Sequence, residues 1–395
     1  MKTKVLFFVA LFLLMSIPSV YAQTTSSKVN LEKVAADLVN QCAGISEGDI
    51  VMVSGGVKNL ELLENIAVEV RKKGAFPMLT IGSDRMTRKM FTEVPVKYDS
   101  QKPELGMHMV KIFDAQISVS SNETPGLLAD IPPERFKTRN EASRPVQEYL
   151  EKNPIKSVAL GNGMYPTKAT ADEFGLTVDQ LSDLFWSGIN VDYKKLAADG
   201  KKLSALLEAG KELEVSNSNG TSLKVSLANH KPFCSDGVID DADLKRGSAG
   251  YAVYLPAGEV YVAPAKASAN GKLVVENFTW QGKAVEGLVV EFKDGKMVSM
   301  DAKSDISAIK KYLEAQGKGV DEFSVVDFGI NPNVKIPKGS KFVSWMPAGM
   351  MTFGTGNNMW AGGDNDASGG MTFFVPGCTV KLDGKTIVDE GQLKL

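Results

Sequence analysis

The first half of the chain alternates short β-type segments with longer segments whose apolar residues recur at helical spacing. Apolar side chains fall three or four positions apart over residues 31–42 and 59–73, which predicts two amphipathic helices. The predicted strands between and after them are residues 49–53, 77–81, 115–120 and 157–160. Parallel strands need a long crossover connection, usually a helix, so this alternation indicates βαβ units. We predict an amino-terminal α/β domain built on an open, mostly parallel sheet with helices on both faces.

The pattern changes near residue 210, after two predicted helices at 178–189 and 192–208. Asn219-Gly220 lies between two short alternating runs, which is typical of a tight β-hairpin. The predicted elements that follow are strands at 273–275, 287–292 and 342–345, a helix at 305–316 and a long glycine-rich loop at 349–370. Loops of that length often carry function. We therefore predict an α/β domain over residues 23–210 and a β-rich α+β domain over residues 211–395.

The amino terminus has the features of a secretory signal peptide over residues 1–22. Lys2 and Lys4 precede an apolar run at residues 5–17, which is too short to span a bilayer. Small residues at Val20 and Ala22 give a cleavage site before Gln23. We expect a protein exported to the periplasm or the extracellular space, with no membrane attachment after cleavage.

The chain contains only two histidines, His108 and His230, which excludes a histidine-rich metal centre. His108 lies among aliphatic residues of a predicted helix, so we predict a buried, hydrogen-bonded structural role. His230 lies in a turn with no adjacent nucleophile, so a Ser/His or Cys/His catalytic pair is not expected. The formal net charge of −2 and the lack of a basic stripe argue against nucleic-acid binding.

Three other features have ordinary structural interpretations. Gly161-Asn162-Gly163 follows a strand, but Pro166 replaces the third glycine of a dinucleotide loop, so a plain turn is predicted. An acidic cluster lacks the residue order of a calcium loop and is interpreted as solvated; it comprises Asp236, Asp240, Asp241 and Asp243. The odd number of cysteines leaves at least one thiol free or paired between molecules; these are Cys42, Cys234 and Cys378.

Residues 255–264, with the sequence LPAGEVYVAP, form the most distinctive segment. They resemble the LPxGE(V/F)xxxP motif of the thermophilic metallo-aminopeptidase family, the aminopeptidase T and S type. Residues 327–332, DFGINP, resemble a second family segment in shortened form, and further similarities lie at 164–167, 171–176 and 190–193. The resemblance covers nearly all of the mature chain. It implies an α/β amino-terminal domain, a carboxy-terminal catalytic domain and a homodimer.

Members of that family hold two divalent metal ions, zinc or cobalt, and remove amino-terminal residues from peptides. The ions are bound by two glutamates, two histidines and an aspartate, and a tyrosine assists catalysis. Glu259 matches the first glutamate and Asp327 the second, so these two are the predicted metal-ligating residues. The other positions are lost; the family's remaining ligands and tyrosine fall on Met350, Asn357, Met371 and Phe373. Thioether and phenyl groups cannot replace ligands of hydrolytic metals, so no catalytic residue is assigned.

Three hypotheses follow from this resemblance. The first is a metallo-aminopeptidase that still cleaves peptides with an altered metal centre. The second is an exported, non-catalytic protein of the same fold, with a binding or interaction role, no metal, and the former centre repacked as core. The third is a different hydrolase that uses Asp364, Asp366 and Glu259 without a transition metal. The alternative to a repacked centre is a misalignment in the glycine-rich loop, with Asp364 or Asp366 as replacement ligands.

Overall fold

The computed structural model describes residues 29–119, 124, 126–227, 231–247, 250–280 and 283–395. The predicted signal peptide, residues 1–22, and His230 lie outside these described residues. No helix within the described ranges is long and apolar enough to cross a membrane.

The described helices are α1 (Leu31–Asp37), α2 (Leu60–Lys72), α3 (Asp84–Thr92), α4 (Glu104–Met109), α5 (Pro133–Lys152), α6 (Lys168–Phe174), α7 (Val178–Ile189), α8 (Tyr193–Ala209), α9 (Asp241–Arg246) and α10 (Ser307–Gln316). The described strands are β1 (Ile50–Gly56), β2 (Phe76–Gly82), β3 (Ala115–Val119), β4 (Lys156–Leu160), β5 (Glu212–Ser216), β6 (Ser222–Ser226), β7 (Phe233–Ser235), β8 (Ala252–Leu255), β9 (Glu259–Val262), β10 (Asn270–Val275), β11 (Phe278–Trp280), β12 (Lys283–Val285), β13 (Leu288–Lys293), β14 (Lys296–Asp301), β15 (Phe323–Gly329), β16 (Met351–Gly356), β17 (Gly370–Val375), β18 (Thr379–Leu382), β19 (Lys385–Asp389) and β20 (Gln392–Leu393).

The first sheet has five strands in the order β2-β1-β3-β4-β8, and every neighbouring pair is parallel. This confirms the predicted parallel α/β sheet. Helix α2 packs on it because an apolar stripe is fully buried along one side; the stripe comprises Leu62, Leu63, Ile66 and Val70. Each such side chain contributes about 1.5–3 kcal/mol on burial. Strand β8 comes from beyond residue 210, so this sheet draws on both sides of the predicted domain boundary.

Two antiparallel sheets follow in the second half, as the β-rich prediction required. An antiparallel eight-stranded sheet has the order β14-β13-β10-β6-β5-β18-β19-β20. The predicted hairpin is confirmed within it, since β5 and β6 pair around a turn that contains Gly220 at a φ of +100°. A five-stranded antiparallel sheet has the order β17-β16-β15-β9-β7, and every residue of its central strand β15 is buried.

Three sequence predictions are wrong in detail. Residues 342–345 are not a strand; Phe342 is buried edge-on against Phe174, with 5.1 Å between ring centroids, and the backbone there is irregular. The segment 349–370 is not one loop, because it contains β16 and the short 3₁₀ helix Met359–Ala361. His108 is on a helix, as predicted, but it is exposed, and its Nδ1 lies 2.7 Å from the carbonyl oxygen of Glu104.

All three cysteines are free thiols, with Cys42 and Cys378 buried and Cys234 partly buried. Burial raises the pKa of Cys42 to about 12 and that of Cys378 to about 11. A thiol that stays protonated is a poor nucleophile and metal ligand. These two cysteines therefore serve as core residues.

Candidate functional site

The five-stranded antiparallel sheet has one apolar face, and its opposite face mixes polar and aromatic side chains. Side chains alternate between the two faces of a strand, so the residues between the polar ones point into the core. These core-facing residues are buried; they include Val260, Val262, Val326, Phe328, Phe353 and Phe373. The opposite face carries Glu259 on β9, Asp327 on β15 and Thr352 on β16.

The strand register brings the two predicted metal-ligating residues together. Glu259 lies opposite Gly329, and Asp327 lies opposite Tyr261, so the two carboxyl groups are diagonal neighbours on one face. Gly329 has no side chain to stand between them, and each carboxyl group affects the pKa of the other.

Burial shifts the titration of both carboxyl groups. It raises the pKa of Glu259 to about 7, because an ionised carboxylate is poorly solvated there. The pKa of Asp327 is raised well above its usual value by burial and by the negative charge of Glu259. Asp327 is only 6% exposed, whereas Glu259 remains partly accessible to solvent. The site is therefore open on the Glu259 side.

Two buried polar atoms on neighbouring residues have no hydrogen-bond partner among the described residues. One is Oδ1 of Asp327, and the other is Oγ1 of Thr352, a residue that is 4% exposed. Thr352 is the direct cross-strand neighbour of Asp327. Buried polar atoms are normally hydrogen-bonded, so an unpartnered pair at one place calls for an explanation.

The two segments that resemble the family motifs interlock and thereby position the carboxyl groups. The Nδ2 atom of buried Asn331 donates hydrogen bonds to the carbonyl oxygens of Ala257, at 2.7 Å, and Gly188, at 3.1 Å. The backbone N–H of Ile330 donates to the carbonyl oxygen of Gly258 at 2.9 Å. Gly258 has a φ of +133°, and a Cβ atom there would stand 2.7 Å from the Cβ of Asn331. Only glycine fits this approach without strain.

The Gly161-Asn162-Gly163 turn supports the same segment. It is a plain turn, as predicted, closed by a 2.8 Å hydrogen bond from the N–H of Met164 to the carbonyl oxygen of Gly161. The Nδ2 atom of Asn162 donates to the carbonyl oxygen of Pro256 at 2.8 Å, three residues before Glu259. Sequence reasoning missed this role, although an asparagine between two glycines is a typical signal for a turn with a side-chain hydrogen bond.

A stack of aromatic side chains borders the carboxyl groups, and sequence reasoning also missed it. Phe233 and Tyr261 stack in parallel with 5.5 Å between ring centroids, and Trp360 lies against Tyr261 at 4.9 Å. The Arg246 guanidinium covers Phe233 at 5.1 Å. Trp360 is 49% exposed, so the stack ends in an accessible ring. No local sequence pattern links these residues, because they come from separate elements.

Comparison with known proteins identifies the family. Residues 27–332 match the model of the thermophilic metalloprotease family M29. The chain belongs to this family. As a metalloprotease family it implies the use of a divalent metal, and the predicted resemblance is confirmed.

Individual relatives agree with that assignment. The chain is 24% identical over 315 residues to aminopeptidase PepS of Streptococcus thermophilus, covering 72% of this chain and 73% of the relative. Wild-type AmpT from Thermus thermophilus superposes with a TM-score of 0.69 at 18% identity, covering 92% and 99% of the two chains. A 2,5-dihydroxypyridine dioxygenase from Pseudomonas putida KT2440 superposes with a TM-score of 0.59 at 13% identity, covering 93% and 98%. These similarities confirm the two-domain fold.

The positions predicted to have lost metal ligands in this family member are only partly at the site. Met350 is buried, and its backbone carbonyl oxygen accepts a 2.9 Å hydrogen bond from the N–H of Gly329, so its backbone lies at the end of β15 next to the carboxyl groups. Met371 and Phe373 pair with Thr355 and Phe353 and point to the opposite, core face. They do not fill the space in front of the carboxyl groups, which corrects that part of the repacking hypothesis.

Side chains alternate along β17, so a difference of one residue in the register of this strand would exchange its two faces. The β17 residues that share the carboxyl face are Thr372, which is exposed, and Phe374, which stacks on Trp345 at 6.2 Å. Neither phenyl nor an exposed threonine hydroxyl is a ligand for a hydrolytic metal.

The proposed replacement ligands do not reach the site. Asp364 is exposed and lies 3.5 Å from Lys266, and Asp366 is exposed as well. Asn357, at the tyrosine position, donates to the carbonyl oxygen of Ala367 at 3.2 Å. Within the part of the chain that the structure describes, no three His, Cys, Asp or Glu side chains converge to hold a metal ion. The donor set therefore does not fit a two-metal centre.

The acidic cluster before α9 has a capping role. The Asp240 carboxylate accepts hydrogen bonds from the N–H groups of Ala242 and Asp243, and the Asp243 side chain accepts from the N–H of Asp240. This is a capping box that satisfies the first turn of the helix. Asp240 and Asp241 are exposed, as predicted, whereas Asp236 and Asp243 are partly buried and are not the solvated groups that were predicted.

Proposed function

We propose that this protein is an exported member of the metalloprotease family that binds its ligand at the carboxyl face and does not hydrolyse peptides with two metal ions. The donor set carries this proposal. Glu259 and Asp327 are the only carboxyl groups that converge there among the described residues, and Met350 occupies a family histidine position. Two-metal hydrolysis needs several ligands on each ion to fix geometry and activate water.

The structural relatives have different named activities. One of them is named as a dioxygenase and not as a peptidase. A fold shared by proteins with different named activities does not by itself assign an activity, so the residues of the site must decide.

The competing function is metal-dependent removal of amino-terminal residues from peptides. It is favoured by the family and by the pairing of Glu259 with Asp327 on one face. Under this function the carboxyl pair would bind a divalent ion, zinc or cobalt, and peptides would be substrates.

Metal analysis and peptide hydrolysis separate the two functions. We expect the purified mature protein to hold far less than one metal ion per chain, and to release no amino acids from short peptides, with or without added zinc or cobalt. The double variant Glu259→Gln/Asp327→Asn serves as a matched control. Its metal content and its lack of amino-acid release should equal those of the wild type. Stoichiometric metal together with turnover that the double variant lacks would overturn the proposal.

Export and self-association are further parts of the proposal. The amino-terminal sequence of protein recovered from the periplasm or the medium should begin at Gln23. The outer strand β2 exposes Leu79 and Ile81 on one face, an apolar surface consistent with the homodimer that the family resemblance implies. Light scattering should then give twice the monomer mass, and Leu79→Lys should reduce it to the monomer value.

A further inference from the structure

Helix α9 lies beside the aromatic stack and is held there by few contacts. Its amino terminus is fixed by the capping box of Asp240 and Asp243. Its last residue, Arg246, lies over the Phe233 ring at 5.1 Å and 3.4 Å from the Asp243 carboxylate. No residue of α9 is fully buried, although Leu244 packs partly buried against the hydrophobic core. An element with so little buried apolar surface opens more readily than the rest of a fold.

The chain that leads into α9 is held more firmly. Strand β7 pairs with β9 in the five-stranded sheet. The Asp236 carboxylate accepts a 3.0 Å hydrogen bond from the N–H of Val238, which closes the turn after the strand. The N–H of Ile239 then donates to the carbonyl oxygen of Cys42 at 2.9 Å. If the two parts of this region separate, α9 is therefore the part that moves.

Asp236 is a partly buried carboxyl group with acidic neighbours. Burial, together with the negative charges of Asp243 and Asp240, raises the pKa of Asp236 to about 6. The pKa of Asp243 is also raised, chiefly by burial. Three carboxyl groups thus share one partly buried region at the start of α9.

The other titratable groups around Asp236 offset this charge only in part. Among the described residues, Lys201 of α8 is the cation that acts on Asp236, and its side chain is exposed. Arg246 already pairs with Asp243. Burial raises the pKa of the remaining neighbours, so they stay uncharged. These neighbours are Cys42, Tyr193 and Cys234.

We propose that proton binding at Asp236 keeps α9 closed against the aromatic stack, and that proton loss releases it. Neutral Asp236 can stay beside Asp240 and Asp243 without charge repulsion. The ionised carboxylate repels both, and it is better hydrated when α9 moves away. Because the strand side is fixed, the equilibrium shifts towards an open α9 as the pH rises.

Opening of α9 changes the surface beside Glu259. Arg246 leaves the Phe233 ring, which is stacked on Tyr261 with 5.5 Å between ring centroids. Access to the carboxyl face from this side is then greater near neutral pH than in acid. This control of access rests on the proposed function, whereas the movement of α9 itself does not.

Hydrogen exchange of α9 measures the opening directly. The full mature protein is kept at pH 4 and at pH 7 with a chelator, and the exchange rate of the α9 amides is divided by their intrinsic rate at each pH. In the open form the pKa of Asp236 returns towards its ordinary value of about 4. The opening constant should therefore rise at least about tenfold between the two pH values. Equal protection at both, or weaker protection at pH 4, would overturn the inference.

Three variants assign the effect to Asp236. Asp236→Asn stays uncharged, so α9 should be as protected at pH 7 as at pH 4. Asp241→Asn is the matched control, because Asp241 is exposed on the same helix, and it should keep the wild-type pH dependence. Glu259→Gln should keep it as well, which separates α9 from titration of the carboxyl site. A pH dependence that survives Asp236→Asn, or that disappears in Glu259→Gln, would contradict the assignment.

Exchange in the hairpin of β5 and β6 reports any change in global stability. The increase in α9 opening should exceed the increase in this hairpin by about tenfold, and a uniform increase over both would overturn the inference. The wild-type comparison decides this even if a variant fails to fold. Metal-dependent turnover would overturn the proposed function and leave the movement of α9 in place, whereas pH-independent exchange would overturn this inference alone.

Discussion

Asn331 is the side chain on which the geometry of the carboxyl site depends most. It is fully buried, and it ties the segment after β15 to the segment before β9. We predict that Asn331→Ala destabilises the protein and displaces Glu259, because the carbonyl group of Ala257 loses the Nδ2 donor that holds it at 2.7 Å. Asn331→Asp should be at least as damaging, since it replaces the N–H donors by an acceptor that faces two carbonyl oxygens.

The magnitude follows from the hydrogen bonds that would be lost. The side chain donates to Ala257 at 2.7 Å and to Gly188 at 3.1 Å, and its Oδ1 accepts from the N–H of Asn333 at 2.9 Å. At a net value of about 1 kcal/mol for each bond, Asn331→Ala should lower the free energy of unfolding by about 3 kcal/mol. The left-over buried carbonyl groups can only add to this loss.

Urea unfolding followed by far-ultraviolet circular dichroism and by tryptophan fluorescence measures the change. The matched control is Asn333→Ala, because Asn333 is nearby and donates a single exposed bond of 3.1 Å to Asn190. We expect a loss of under about 1 kcal/mol for this control. If the two variants unfold at the same urea concentration, Asn331 does not hold the site together and the reasoning is refuted.

Three further predictions concern the backbone and the carboxyl groups. Gly258→Ala should lower the melting temperature and yield less folded protein, because its Cβ would collide with Asn331; unchanged melting would contradict the required φ. The Arg135 guanidinium lowers the pKa of Asp99 to about 2. The ionised Asp99 should therefore stabilise the folded protein above pH 4, and this contribution should be lost as the pH falls towards 2. In acid unfolding scans, Asp99→Asn should lack this pH-dependent loss of stability. With a chelator present, the free energy of unfolding should fall as the pH rises from 4.5 to 7, because the pKa of Glu259 is raised in the folded protein. Glu259→Gln should flatten this pH profile. A wild-type profile that is already flat would contradict the raised pKa of Glu259.

Local signals were sufficient for many elements of the fold. Helix α7 has the bounds that the sequence predicts, and the structure shows local signals at both ends: Thr177 and Gln180 form a capping box, and Asn190 follows the last turn. The hairpin around Gly220 and the parallel strands of the first sheet were predicted for the same reason. In each case the deciding residues are close neighbours in sequence.

Predictions failed where distant contacts decide the conformation. Phe342 has apolar sequence neighbours like those of a strand residue, but it is buried by packing against Phe174 and not by pairing with a strand. The faces of Met371 and Phe373 depend on how the glycine-rich segment before β17 pairs with β16, and a one-residue error reverses them. The pairing of Glu259 with Asp327 was predicted from family motifs, whereas the Thr352 hydroxyl beside them carried no signal.

The position of strand β8 restricts where the protein can be divided into fragments. Its last residue, Leu255, pairs with Leu160 in the first sheet and lies only four positions before Glu259. A fragment that ends at residue 210 would leave the edge of β4 bare, and bare edges promote aggregation. The complementary fragment would carry Glu259 on a segment that has lost its anchor. Truncations, fusions and domain exchanges should therefore keep residues 252–259 together with the amino-terminal sheet.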